Sequence, residues 1–277
     1  MKSPFPHAYT KNHAVLDGGV VGFDCSMDTG IWPWLKLEPI APILVQTITF
    51  WGSVESGMFL GTFDPRKRSA LAQTNWECGL PGVGLPVRGR YETSQAGDHR
   101  RFALDYFDAD ERRVARISGQ GVVFRTRDFE SWRSDAKEKI VKPEPPAFAY
   151  ASPAALRVAT AGECFLAPLE SDPTVRAAGL ITKARGLIPG HPYIGGSGDH
   201  VNSTHMGEIG RQFGDLLLGR QWINTGGEMV FSHYVELGSP FEVSLIGHAP
   251  EAKTYELLVQ QAGHDCTEIR MSYALLS

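Results

Sequence analysis

The chain has no apolar run of membrane-spanning length, no block of one charge sign and few cysteines, and each shortage removes a class of protein. Hydrophobic residues are 42% of the 277, but turn and charged residues break them into short pieces, so no bilayer-crossing helix is expected. A formal charge of −4 gives no electrostatic reason to expect nucleic acid or an anionic membrane surface as partner. Cys25, Cys78, Cys164 and Cys266 fall without paired spacing, which speaks against a disulfide frame or a thiolate zinc site and for reduced thiols. The opening Met1-Lys2-Ser3-Pro4-Phe5-Pro6-His7 lacks the apolar core of a signal peptide, so the expected location is cytoplasmic. Motifs for common cofactors are missing as well. Gly195-Gly196-Ser197-Gly198 lacks the lysine of a phosphate loop and the last glycine of a nucleophile elbow. His200 and His205 stand five apart with no third ligand in view, so neither a metal nor a cofactor is expected.

What is present is an ordinary globular composition, 21% charged, in a chain long enough for one large domain or two modest ones. Val15-Leu16 and Val20-Val21-Gly22-Phe23 read as one strand bent by Asp17-Gly18-Gly19. The apolar stretch from Ile43 to Leu60, entered through Pro42, predicts a buried helix. From Ser69 to Phe124 the alternation of Phe102, Leu104 and Tyr106, the turn Asp108-Ala109-Asp110 and the return through Val114-Ala115-Arg116-Ile117 predict antiparallel strands. Residues 127–140 are mixed and charged, with a helix as one reading, and Lys142-Pro143-Glu144-Pro145-Pro146 reads as a linker.

The second half echoes the first. Glu236-Leu237-Gly238-Ser239-Pro240 parallels Glu77-Cys78-Gly79-Leu80-Pro81, and the hairpin Tyr255 to Ser272 parallels Phe102 to Ser118. Gln46 to Gly52 falls opposite Glu208 to Gly214. The same order of echoes implies two copies of one unit: a strand, a long central helix, then about four antiparallel strands. That is an α+β architecture, a double hotdog in which each antiparallel sheet wraps a central helix. The expected division is a first repeat over 1–141 with a degenerate site, a linker and connecting segment over 142–178, and a second repeat over 179–277 carrying the site.

That site is centred on Asp199-His200-Val201-Asn202-Ser203-Thr204-His205-Met206-Gly207-Glu208-Ile209-Gly210-Arg211-Gln212. Met206, Ile209, Phe213, Leu216 and Leu217 form one helical stripe, while Glu208, Arg211, Gln212 and Asp215 form another. Ser203 or Thr204 is placed to cap the helix start. Glu208, read as lying in the first turn, would then have its charge favoured by the macrodipole and serve as general base or nucleophile. His200 suits proton transfer near neutrality, with Asp199 orienting it or capping the loop. Arg211 suits either an ion pair with Glu208 or a phosphate of the substrate. Trp32, Trp34, Phe50 and Trp51 are candidates for an acyl tunnel, with core packing the default.

Asp199, His200, Val201, Glu208, Arg211 and Gln212 resemble, with unchanged spacing, the D-H-V-P-G-M-x-x-x-E-x-x-R-Q pattern of the A-factor biosynthesis hotdog family. Asn202-Ser203 stands where that pattern has Pro-Gly. The resemblance implies tandem hotdogs and chemistry on an acyl thioester linked to an acyl carrier protein or coenzyme A, by acyl transfer or hydrolysis in secondary metabolism, with a homodimer as one expected assembly. It is consistent with catalytic roles for Glu208, His200 and Asp199 and a substrate contact from Arg211. His205 is an added polar group, a further catalytic candidate, with Gly198 and Asn202 as further candidates for substrate contact. Ser197-Gly198-Asp199…Asn202…His205 also resembles the S-G-D-x-N-P-x-H signature of hotdog hydratases, so hydration or dehydration of an enoyl or β-hydroxyacyl thioester is the second expectation. Gln46, opposite Glu208 in the first repeat, supports a third, a protein that binds an acyl group or metabolite without catalysis. A structural partner subunit of a synthase is a fourth.

Overall fold

Eighteen residues of helix, α1 (Pro42–Phe59), sit at the centre of the first half. Pro42 suits the first helical position, where its fixed φ is correct and its missing N–H is not needed. The β-branched Ile43, Val45, Thr47, Ile48 and Thr49 are poor helix formers, but all five are buried, and burial decides over propensity. Around α1 run β1 (Thr10–Val15), β2 (Val21–Cys25), β3 (Ser69–Cys78), β4 (Arg88–Ala96), β5 (His99–Phe107) and β6 (Arg113–Val123), in the order β1-β2-β4-β5-β6-β3. Every pairing is antiparallel. The Tyr106 hydroxyl on β5 donates to the Ile48 carbonyl of α1 at 2.6 Å. Only a glycine at position 52 lets the tyrosine come so near, since a Cβ there would run into that hydroxyl. Glu55, lower on α1, accepts from the N–H groups of Tyr9 and Thr10 at 2.9 and 2.6 Å and so ties β1 to the helix.

The structure is a computed structural model describing residues 6–64, 69–96, 99–123, 129–140, 147–187, 191, 193–194 and 199–276. It divides into two compact units, Met1–Arg125 and Thr126–Ser277. The first strand departs from expectation. Gly18 and Gly19 take φ of 74° and 78°, so the chain folds back as the β1–β2 hairpin and does not continue as one bent strand. Trp32, Trp34 and Trp51 are buried, with Trp32 edge-on to Trp51 at 4.9 Å, as core packing requires. Asp24 accepts from the Asn12 amide, and Asp28 closes its own turn by accepting from the N–H groups of Gly30 and Ile31.

The second unit contains α2 (Phe129–Ile140), β7 (Arg176–Gly179), α3 (Ser203–Leu218), β8 (Trp222–Phe231), β9 (Phe241–Ala249), β10 (Thr254–Gln261) and β11 (His264–Leu275). Its sheet order is β8-β11-β10-β9-β7. The four strands after α3 pair in the order that the four after α1 do: β3-β6-β5-β4 matches β8-β11-β10-β9. The Tyr255 hydroxyl donates to the Gly210 carbonyl of α3 at 2.9 Å, with Gly214 beneath the ring. Ile48 with Gly52 and Gly210 with Gly214 thus play one part at one spacing.

Helix α2 lies in the second unit, where the buried Arg133 forks onto Glu236. In the connecting stretch before β7, Phe165 and Leu166 are fully buried, and Leu166 bridges to Gly179. The proline-rich 142–146 lies outside the described residues. All four cysteines are free. No described helix is long and apolar enough to cross a membrane.

Candidate functional site

The entrance to α3 is held by Asn202, not by Ser203 or Thr204. The Asn202 side-chain oxygen accepts from the N–H groups of Thr204 at 3.0 Å and His205 at 3.3 Å. His205 Nδ1 in return accepts from the Asn202 N–H at 3.2 Å, which closes a capping box with histidine in the usual place of Glu or Gln. The other ring nitrogen, Nε2, donates to the Leu187 carbonyl at 2.9 Å. Both nitrogens are therefore spoken for in the neutral ring. Burial pushes the His205 pKa down to about 4, which agrees with an uncharged, structural histidine.

Glu208 falls in the second turn of α3, beyond the strongest reach of the macrodipole, and the first turn carries no acid. On this face of α3 Glu208, Gln212 and Asp215 are buried and Arg211 is half-buried. Glu208 is 3% exposed and forked by Arg211, whose Nε donates to Oε2 at 2.8 Å and whose Nη2 donates to Oε1. Gln212 Nε2 donates to the same Oε1 at 3.0 Å. Arg211 also donates to Asp215 Oδ2 at 2.6 Å, and Asp215 accepts from Trp222 Nε1 at 2.8 Å. Burial alone would lower the Arg211 pKa, but the Glu208 and Asp215 carboxylates outweigh it and raise it. Over this face lies the segment from Leu156 to Phe165. Arg211 donates to the Leu156 carbonyl, Gln212 Nε2 to the Glu163 carbonyl, and the Phe165 N–H to Gln212 Oε1, at 3.1, 2.8 and 2.9 Å. The conformation joins Glu208 and Arg211 in a sealed brace, with each Glu208 oxygen taken by a protein donor.

A different cluster remains reachable. The Val201 N–H donates to the Val235 carbonyl at 2.9 Å, laying residues 199–201 beside 234–236. His200 Nδ1 lies 2.5 Å from Asp199 Oδ1, so the carboxylate accepts from Nδ1–H and the Nε2 lone pair has no hydrogen bond from the described residues. The His200 side chain is 21% exposed and edge-on to the Tyr234 ring, 4.6 Å between centroids. Asp199 Oδ2 accepts from Lys137 Nζ at 2.8 Å, with Arg133 Nε 3.7 Å away. Arg133 lies 4.2 Å over the Tyr234 ring and forks onto Glu236. Burial raises the Tyr234 pKa, so its hydroxyl stays protonated near neutrality.

The structure therefore brings together Asp199 and His200 in one place, Glu208 and Arg211 in another, and Asn202 and His205 in a third. Gly198 lies outside the described residues. Arg133, Lys137, Tyr234 and Glu236 were missed in the sequence. The spacing of Arg133 and Lys137, four apart on one helix face, and the alternation of Tyr234 and Glu236 were the available signals. Among the described residues no three or more His, Cys, Asp or Glu side chains converge to hold a metal ion.

An antiparallel sheet around a helix, followed by strands in this order, is the hotdog fold, and solved structures of hotdog proteins are similar to this chain. The 12:0-ACP thioesterase from Umbellularia californica is 10% identical with a TM-score of 0.59, over 94% of this chain and 99% of that one. The dehydratase domain of the polyketide PpsC from Mycobacterium tuberculosis is 9% identical with a TM-score of 0.55, over 99% and 100%. An acyl-ACP thioesterase from Bacteroides thetaiotaomicron is 10% identical with a TM-score of 0.53, over 92% and 97%. At such identities the likeness is one of fold. No family model and no curated protein sequence matches the chain.

Proposed function

We propose that the chain is a tandem-hotdog enzyme of the A-factor biosynthesis type, acting on an acyl thioester of a carrier protein or coenzyme A by hydrolysis or acyl transfer. The tandem reading is supported by the matching strand orders and the paired Tyr106–Gly52 and Tyr255–Gly214 contacts. One repeat would fall in each compact unit, Met1–Arg125 and Thr126–Ser277, with the working site in the second. Thioester chemistry is supported by the acyl-ACP thioesterases among the similar structures.

One observation carries the reaction: a partly exposed imidazole held on a carboxylate at 2.5 Å through Nδ1, with Nε2 not hydrogen-bonded by any described residue. His200 Nε2 takes the proton from water or an acceptor hydroxyl as its oxygen attacks the thioester carbonyl. The tetrahedral intermediate then collapses, the C–S bond breaks, and the imidazolium returns the proton to the leaving thiolate. Asp199 holds the tautomer and stabilises the transient cation. Glu208 and Arg211 serve as the brace that fixes α3, and Asn202 and His205 shape its entrance.

Saturated, β-hydroxyacyl and β-ketoacyl thioesters, offered with and without a hydroxylated acceptor and read by mass, test this. His200→Asn is expected to cost ~100-fold or more in kcat, the usual share of general acid–base catalysis. Dehydration of the β-hydroxyacyl substrate alone would instead support the second expectation, a dehydratase. Wild-type turnover that survives His200→Asn within severalfold would sink the assignment, as would tight binding of every thioester without product.

A further inference from the structure

Helix α2 belongs to no motif, yet it delivers Arg133 to the centre of the His200 cluster. The Arg133 side chain is 5% exposed and engaged in three directions. It forks onto Glu236, with Nη2 to Oε2 at 2.8 Å. It covers the Tyr234 ring at 4.2 Å, and its Nε lies 3.7 Å from Asp199 Oδ2. Glu236 is in turn fixed to the sheet. Its N–H donates to Gln261 Oε1 at 2.7 Å, and Gln261 Nε2 donates to the carbonyls of Glu236 and Ser239 at 3.1 and 3.0 Å. The guanidinium is thus tied to a rigid anchor on one side and to the two neighbours of His200 on the other. Lys137 Nζ makes the shorter contact to Asp199, at 2.8 Å against 3.7 Å for Arg133 Nε. But Lys137 is a 34% exposed ammonium on a flexible stem, whereas the Arg133 guanidinium is buried and held in place by its fork onto Glu236.

We propose that Arg133 is a positioning residue for the reaction at His200. It acts through Asp199, which fixes the Nδ1–H tautomer, and through Tyr234, which fixes the plane of the ring. Its job is to hold the ring in one tautomer and one plane, with Nδ1–H on Asp199 and Nε2 left for the reaction. This rests on the assignment of His200 as the proton-transfer group, but the positioning itself can be read without any substrate.

The test uses the full chain with 15N-labelled histidine. In the wild type the His200 ring is expected as the Nδ1–H tautomer. In Arg133→Met that preference is expected to relax to a mixture, kcat to fall ~10-fold or more, and KM to stay within about threefold. Because Arg133→Met strands a buried Glu236 carboxylate, the paired variant Arg133→Met with Glu236→Leu removes both charges and is read in the same way. Added guanidinium is expected to restore part of the lost rate to Arg133→Ala, while Lys139→Met, on the exposed side of α2, leaves tautomer and rate unchanged. A folded paired variant that keeps the wild-type tautomer and ring environment would overturn the proposal whatever its activity. If no thioester is turned over by the wild type but the tautomer shifts as expected, the positioning stands and the reaction assignment falls.

Discussion

His205 offers the sharpest test of the site as built, because its environment makes a signed statement about pH. Its ring is 1% exposed and neutral, with its pKa lowered to about 4 against an ordinary 6.5. Between those values the unfolded chain binds a proton that the folded chain does not, so folding stability rises with pH across that window and is lost as pH falls through it. The gap, at ~1.4 kcal/mol per pH unit, amounts to about 3 kcal/mol once the pH reaches 4. Burial raises the pKa of Glu55 and Asp215, which act in the opposite sense at the acid end, so the raw curve mixes several groups. A difference measurement separates them. His205→Gln keeps a donor for the Leu187 carbonyl and an acceptor for the Asn202 N–H, and Gln is an ordinary partner in a capping box. Urea unfolding of wild type and variant at pH 7.5 and 4.5 should show the wild type losing about 2 to 3 kcal/mol more than the variant between the two. Equal losses would mean that His205 is hydrated or charged in the folded protein, and the closed cap at the head of α3 would be wrong.

Other expectations follow from the same contacts. Gly52→Ala drives a methyl into the Tyr106 hydroxyl and should cost ~2 kcal/mol or more by urea unfolding. Adding Tyr106→Phe should recover part of it, since the next atoms stand at 3.2 Å. Tyr255→Phe should rescue Gly214→Ala less well, because Trp222 and the Tyr255 ring remain at 2.8 and 2.9 Å; equal rescue at both positions would contradict the packing described. Glu208→Leu should destabilise by roughly 3 kcal/mol, as loss of one partner from a buried ion pair does, and Glu208→Gln by less. A Glu208→Gln protein of wild-type stability with no activity would return that carboxylate to the chemistry.

The helices and hairpins with strong local patterns were legible. Pro42 and a long apolar run marked α1, and the Ala262-Gly263 turn between alternating strands marked the β10–β11 hairpin. The echo of Gln46–Gly52 in Glu208–Gly214 found the two helix positions that tyrosine hydroxyls occupy, because close approach demands glycine in both and leaves a trace in sequence. What was illegible depends on contacts between distant residues. Whether Glu208, Arg211, Gln212 and Asp215 face water is set by a segment some fifty residues earlier, Leu156 to Phe165, whose own sequence has no period. The N-cap went to Asn202 because His205 could return its bond, a reciprocity that Ser203 and Thr204 advertise equally well. Arg133 joined the site through Glu236, 103 positions away, and no local pattern carries that distance.

The same four residues on α3 could serve catalysis or architecture, and the first unit helps to decide between them. The Tyr106 and Tyr255 anchors align Ile48 with Gly210, which places Gln46 opposite Glu208 and Thr49 opposite Arg211. In the first unit the carboxylate and the guanidinium are both gone. Thr49 turns its hydroxyl back to the Val45 carbonyl at 2.7 Å, and the Gln46 amide is buried with no hydrogen-bond partner. A buried carboxylate without its arginine, or the arginine without its carboxylate, costs several kcal/mol, whereas a neutral amide costs about 1 to 3 kcal/mol. A brace must therefore be present or absent as a set, and in the first unit both of its members are absent. A base or nucleophile carries no such coupling and could change alone. Three donors from Arg211 and Gln212 occupy both Glu208 oxygens, while no described residue engages His200 Nε2, and this favours His200 as the proton acceptor of the proposed reaction.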